Sequence, residues 1–192
     1  MEPGEDILWI GLPVSGEMVA ELGQFIAQWG FMETYLNMLV LSMMARPQTD
    51  EEMRHLPMAL KKRLALLKGS AQSRFPECPS LVERIRHIAT EIKLLKPDRE
   101  AIAHGMWSSR DATSVSITTF HNQKWSSKSF TLYQIRQRSI AVSALSRRIM
   151  AILNAGSLKG TDWAFPLPPH EIDAIRTAFC RIPPPPHTRS GE

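Results

Sequence analysis

The residues best suited to chemistry in this chain are an arginine and a histidine in the stretch Asp98-Arg99-Glu100-Ala101-Ile102-Ala103-His104-Gly105-Met106-Trp107. An imidazole changes charge near neutral pH, so His104 is a candidate general acid or base. A guanidinium is a permanent cation with forked donors, which suits Arg99 to the non-bridging oxygens of a phosphate. Plainer readings compete. A histidine at a helix end also serves as a hydrogen-bond partner for a carbonyl near Gly105. Arg99 follows Leu95 in the rhythm of an apolar stripe, where a permanent cation needs a carboxylate, an open cleft or a partner subunit. Glu33 is similarly awkward beside Trp29 and Leu36 on an earlier helix. A Glu33–Arg99 ion pair would satisfy both; alternatively, Glu33 is solvated at the margin of its stripe.

Other chemistry is sparse. His55 and His87 lack a metal-ligand partner one helical turn away, His121 falls in an expected turn, and His170 and His187 lie in the last part of the chain. There is no Gly-rich phosphate loop, nucleophile elbow or clustered carboxylate site, and Cys78 and Cys180 have no metal-ligand spacing. The sequence therefore implies neither metal nor cofactor. Trp107 and Trp125 could stack on bases, although large aromatics near helix ends and hairpins more commonly cover a core.

The elements that must position Arg99 and His104 are mostly helices. Met18, Leu22, Phe25, Trp29, Met32, Leu36, Leu39 and Met43 recur in steps of four and three and predict a helix over about Ser15 to Ala45, ended by Arg46-Pro47. A second helix is expected after Thr49-Asp50, with Thr49 and Glu52 at capping-box spacing. Pro57 displaces its start or kinks it, and Leu60, Leu64 and Leu67 face inward. Ser80 and Glu83 repeat the capping-box spacing before a third helix carrying Leu81, Ile85, Ile88, Ile92 and Leu95. Pro97 either kinks that helix or opens a new short one, and Gly105 ends it.

From Thr113 to Phe130 the pattern changes. Val115, Ile117 and Thr119 alternate with Ser116 and Thr118 as in a strand, His121-Asn122-Gln123 reads as a turn, and Trp125 to Phe130 as the return strand. Thr131 and Gln134 then cap a long helix with Ile135, Ile140 or Ala141, Ala144 or Leu145, Ile149 and Ile152 inward, ending at Ala155-Gly156. A last amphipathic segment after Pro168-Pro169, with Ile172, Ile175 and Phe179, docks on the bundle or on a partner. The expected fold is all-α: an antiparallel helical bundle with a small β-hairpin inserted before the last long helix. Residues 1–14 read as an extension, 15–157 as the helical domain, 158–182 as a C-terminal segment with a short helix, and 183–192 as a Pro-rich tail.

A chain of 192 residues supports one well-buried core. No secretory signal is legible, and the apolar run from Met32 to Ala45 is shorter than the roughly 20 residues a membrane-spanning helix needs. With two cysteines and no disulfide framework, a cytoplasmic setting is expected. The net charge of +4 is unevenly spread: residues 1–49 hold one basic and six acidic side chains. Lys61-Lys62-Arg63, Arg84/Arg86, Arg136/Arg138 and Arg147-Arg148 then cluster along the rest. Such clusters attract a polyanion such as RNA, or are solvated helix faces.

The stretch around Arg99 resembles the HEPN superfamily (higher eukaryotes and prokaryotes nucleotide-binding). Those helical bundles carry an arginine, four to six residues, then a histidine near the end of a core helix; here four residues intervene. Ala103-His104-Gly105 followed by Trp107 is similar to the ending of bacterial members, as are Trp29 and Glu33 on a long first helix and Lys61-Lys62-Arg63-Leu64 on the second. The resemblance spans roughly residues 17–155. It implies a homodimer in which two Arg99/His104 pairs share a cleft and cleave RNA without a metal, leaving a 2′,3′-cyclic phosphate and a 5′-hydroxyl. As in many members, a protein antitoxin or regulator would be a partner. One departure stands out. Glu100 occupies the place where active members often have Asn, Asp or His, and its carboxylate would repel an anionic substrate. The same resemblance therefore also fits a catalytically inactive dimerisation or RNA/nucleotide-binding module. Independently of it, the apolar stripes and Pro-rich end fit a helical interaction protein.

Overall fold

The computed structural model describes residues 14–44, 56–111, 113–121, 123–156 and 167–180. Among them, five helices surround one apolar core, and a three-stranded antiparallel sheet closes one end. The elements are α1 (Gly16–Met43), α2 (Leu60–Arg74), α3 (Pro79–His104), β1 (Met106–Asp111), β2 (Ser114–His121), β3 (Lys124–Thr131), α4 (Leu132–Gly156) and α5 (Pro169–Cys180). No described helix is long and apolar enough to cross a membrane.

The apolar stripe of α1 is the spine of the core. Each of its eight periodic residues is buried, and Ser15 Oγ accepts the Met18 N–H at 3.2 Å as a side-chain cap. Its most extensive partner is α4. These two helices run in the same direction: Arg136, early in α4, meets Glu17 and Glu21, early in α1, at 2.6 and 2.7 Å. The α3–α4 pair is antiparallel, as Arg148–Glu91 and Arg138–Asp98 contacts at opposite helix ends require. The expected antiparallel arrangement therefore holds for α3–α4 and not for α1–α4. The chain crosses through α2, α3 and the sheet between α1 and α4, which leaves the last long helix parallel to the first.

Local starts and stops differ in instructive ways. Helix α2 begins at Leu60, after Pro57, while Thr49 and Glu52 lie outside the described residues. Helix α3 starts with Pro79 in its first turn, so Ser80 is already helical; Cys78 precedes it without a side-chain cap. The Ser80 hydroxyl is instead 3.2 Å from His170 Nε2 of α5. Pro97 neither ends α3 nor opens a new helix; the helix passes through it for 26 residues. The Thr131/Gln134 box forms in both directions, at 2.9 and 3.2 Å. On α4, Ser139 and Val142 take the inward positions, and Ile140 is exposed.

The expected hairpin gains a strand. Residues Met106–Asp111 pair with β2, from Met106 opposite Thr118 to Asp111 opposite Ser114, with an irregularity between Ser109 and Asp111. At that corner Asp111 oxygens accept the Thr113 N–H at 2.7 Å and the Thr113 and Ser114 hydroxyls at 2.9 and 2.6 Å. These bonds, Ser114 foremost, pull the Asp111 carboxyl down to about 2. Across the β2–β3 turn Gln123 adopts φ 60°, and His121 faces Lys124. Val115, Ile117 and Phe130 cover the core from the inner face of the sheet.

The segment after residue 166 docks on the bundle. Glu171 of α5 is buried and held by Arg84 of α3 at 2.8 Å. Arg74 of α2 donates to the Ala178 carbonyl at 2.9 Å and lies over the Phe179 ring. A Cβ on Gly156 would stand 2.6 Å from that ring, so glycine permits the approach of α5 to the end of α4.

Candidate functional site

Arg99 and His104 project from the last turns of α3, where the helix gives way to β1. The ending is built from backbone outward. Gly105 N–H donates to Ala101 O at 2.8 Å, and Trp107 Nε1 donates to Ile102 O at 3.0 Å, satisfying carbonyls left open by the helix end. Trp107 is therefore half-buried and tied to the bundle rather than free for stacking. Gly105 is extended, with φ −86°, so its role is space and not left-handed backbone. A Cβ there would lie 2.3 Å from Ile117 Cγ2 and 2.6 Å from Ala101 O, because β2 crosses directly over the helix end. Packing alone thereby explains the glycine at 105.

The two motif side chains meet. Arg99 Nη1 lies 3.2 Å from His104 Nε2. A guanidinium only donates, so a hydrogen bond here would use an Nε2 lone pair of His104. Glu100 lies between them, with Oε1 3.3 Å from Arg99 Nη1 and 3.5 Å from Lys96 Nζ, and Oε2 3.7 Å from His104 Nε2. The His104 contact to Glu100 becomes an ion pair only when the ring is protonated. Nε2 thus has two neighbours, Arg99 and Glu100, five and four residues back along α3. The imidazole is 63 % exposed and the guanidinium 27 % exposed, so both reach solvent.

The expected Glu33–Arg99 pair does not form. Glu33 accepts from Arg63 Nη2 of α2 at 2.6 Å, and Asn37 accepts from Arg63 Nη1 at 2.6 Å. Glu33 therefore fastens α1 to α2 and takes no part in the site. Arg99 needs no distant carboxylate because it stands at the edge of the core rather than within it.

Sequence spacing gave no sign of Asp98 as an anchor. It accepts from Lys128 of β3 at 3.0 Å and from Arg138 of α4 at 2.9 Å, fixing the sheet and α4 against the residue next to Arg99. These contacts span 30 and 40 positions, and no local pattern encodes them. Locally, the cations Lys96, Arg99, Lys128 and Arg138 face the carboxylates of Asp98 and Glu100, which leaves two positive charges in excess. Lys96 and Arg99 are the two cations at Glu100, while Lys128 and Arg138 are the two at Asp98.

The remaining basic clusters are mostly engaged within the chain. Arg63, Arg84, Arg136 and Arg148 each contact a carboxylate at 2.6–2.8 Å, and Arg86 bonds Gln72 at 2.7 Å. His87 lies 3.1 Å from Glu91. His55 and His187 are outside the described residues. Among the described residues, no group of three or more His, Cys, Asp or Glu side chains is placed to hold a metal ion. Compared with protein-family models, curated proteins and solved structures, the chain matches none.

Proposed function

We propose that this protein is a HEPN-type endoribonuclease in which Arg99 and His104 cleave RNA through attack of the 2′-hydroxyl on the neighbouring phosphate. The observation that carries the reading is the 3.2 Å approach of an exposed imidazole to a solvent-reaching guanidinium, in a locally positive region. RNA brings its own nucleophile, so the protein need only move protons and stabilise charge. With its proton on Nδ1, a neutral His104 ring would offer at Nε2 the lone pair a general base requires. Arg99 would release it and turn to the non-bridging oxygens as negative charge builds in the transition state. A second chain would supply another Arg99/His104 pair across a two-fold axis, with one histidine as base and the other as acid for the departing 5′-oxygen. A protein antitoxin or regulator would act by covering that shared cleft.

Glu100 favours a second reading. Its contacts to both Arg99 and His104 would let it hold the two groups in place, as in an inactive dimerisation or RNA-binding module. Labelled RNA incubated with the full chain in EDTA distinguishes them. The nuclease reading expects cleavage that disappears in Arg99→Ala and in His104→Ala. Retained binding without cleavage selects the module, and cleavage unaffected by either substitution defeats the proposed mechanism.

A further inference from the structure

A groove of about 990 Å³ opens between α2 and α5, and neither Arg99 nor His104 lines it. Leu66 and Gly69 of α2 and Ala174 of α5 form its sides, while Met43, Phe75 and Cys78, all buried, form its floor. A volume of that order, walled by apolar and small side chains, is typical of sites for small molecules.

Gly69 shows that the space is kept open. It lies in the interior of α2, where glycine is among the poorest helix formers. No neighbouring group among the described residues uses the room its missing side chain leaves, because a Cβ there would have nothing within 4 Å. Gly156 is the contrast, since a Cβ at that position would strike the Phe179 ring. Packing within the chain accounts for Gly156 and not for Gly69, whose bare backbone widens the groove.

The charged groups along the groove narrow the choice of occupant. Arg74 has no carboxylate partner among the described residues; its Nη2 donates to the Ala178 carbonyl at 2.9 Å, and its Nε bonds nothing. A guanidinium with donors to spare calls for an acceptor oxygen. Glu77 and Asp173 also line the groove, both exposed and neither in an ion pair among the described residues. One cation against two carboxylates disfavours a ligand with a negative charge.

We propose that this groove binds an uncharged apolar small molecule carrying a carbonyl oxygen. Its hydrocarbon body packs over Gly69, Leu66 and Phe75, and its oxygen accepts from the Arg74 guanidinium. The site is separate from Arg99 and His104 and does not rest on the nuclease reading.

The test uses the full chain and diphenylhexatriene, a hydrocarbon dye without any acceptor, whose fluorescence rises when it leaves water. Methyl decanoate should displace the dye, and decanoate, of the same chain length but ionised, should compete about ten-fold less well. Gly69→Leu fills the groove without removing a contact of the chain. It should weaken dye and ester binding about ten-fold or more, with Tm unchanged or higher because leucine is the better helix former. Arg74→Lys should weaken the ester about five-fold and leave the dye unchanged. No saturable dye binding, or decanoate competing as well as its ester, overturns the proposal. A fall in Tm in Gly69→Leu does so too, since the chain itself would then occupy that space. An ester affinity unchanged in Arg74→Lys removes the guanidinium from the site and with it the case for a carbonyl ligand.

Discussion

Two arginine–carboxylate clusters in this molecule have similar chemistry and opposite geometry. Arg63 bonds Glu33 and Asn37 of another helix, each at 2.6 Å, with its side chain only 11 % exposed. Arg99 touches Glu100 and His104 of its own helix at 3.3 and 3.2 Å. The first cluster joins elements far apart in sequence through short, partly desolvated contacts. The second joins nothing; its members share long, competing contacts at an open helix end. Arg63 commits both of its Nη groups to another helix, whereas a guanidinium that is to receive a phosphate must release its donors cheaply. The contrast separates Arg63 as a structural residue from Arg99 as a candidate for chemistry.

The contrast breaks most sharply at the motif itself. His104→Ala and Arg99→Ala should each lower RNA cleavage by about a hundred-fold or more, while urea unfolding shifts by no more than about 0.5 kcal/mol. A large stability loss in either would move the cluster to the structural side. Next in size, Gly105→Ala must displace Ile117 or the end of α3 and should cost about 1–3 kcal/mol by the same measurement. Its effect on cleavage should follow from the displaced helix end rather than from lost chemistry.

Removing the bracing arginine should do the converse. Arg63→Ala leaves Glu33 half-buried without its partner and should destabilise the fold by about 1–3 kcal/mol, with cleavage per folded molecule unchanged. Glu100→Gln should alter stability by less than about 0.5 kcal/mol, given its exposure. Steady-state cleavage should hold or rise by a few-fold as Arg99 and His104 lose a competing partner. A fall to background would make Glu100 part of the machinery.

The smallest effect concerns the corner before β2. With its folded carboxyl at about 2 against an ordinary 3.8, Asp111 favours the folded state above pH 3.8 and loses that contribution as pH falls towards 2. Asp111→Asn should therefore flatten the pH dependence of Tm across that window and leave cleavage near neutral pH untouched.

Much of this was legible in the residues, and the reasons are local. The α1 stripe, the Thr131/Gln134 box and the alternation of Val115 and Ile117 each follow from short-range geometry, and each formed as the spacing implied. The proximity of Arg99 and His104 was legible for the same reason, since both belong to one helix end. What sequence could not reveal was decided at long range. Strand β1 lacks clean alternation and exists because β2 offers it an edge. Glu33 chose Arg63 over Arg99 because of how α2 lies on α1, and helical rotation is not fixed by periodicity alone. The parallel course of α1 and α4 and the anchoring by Asp98 likewise depend on tertiary arrangement.

The most direct test of the central claim is the chemistry at a single nucleotide. An RNA cleaved by the protein at a mapped position should become resistant when only that ribose carries 2′-deoxy in place of its hydroxyl. The fragment upstream of the cut in the unmodified strand should end in a 2′,3′-cyclic phosphate. Continued cleavage at the deoxy position, or fragments bearing a 5′-phosphate, would contradict an attack by the ribose guided by Arg99 and His104.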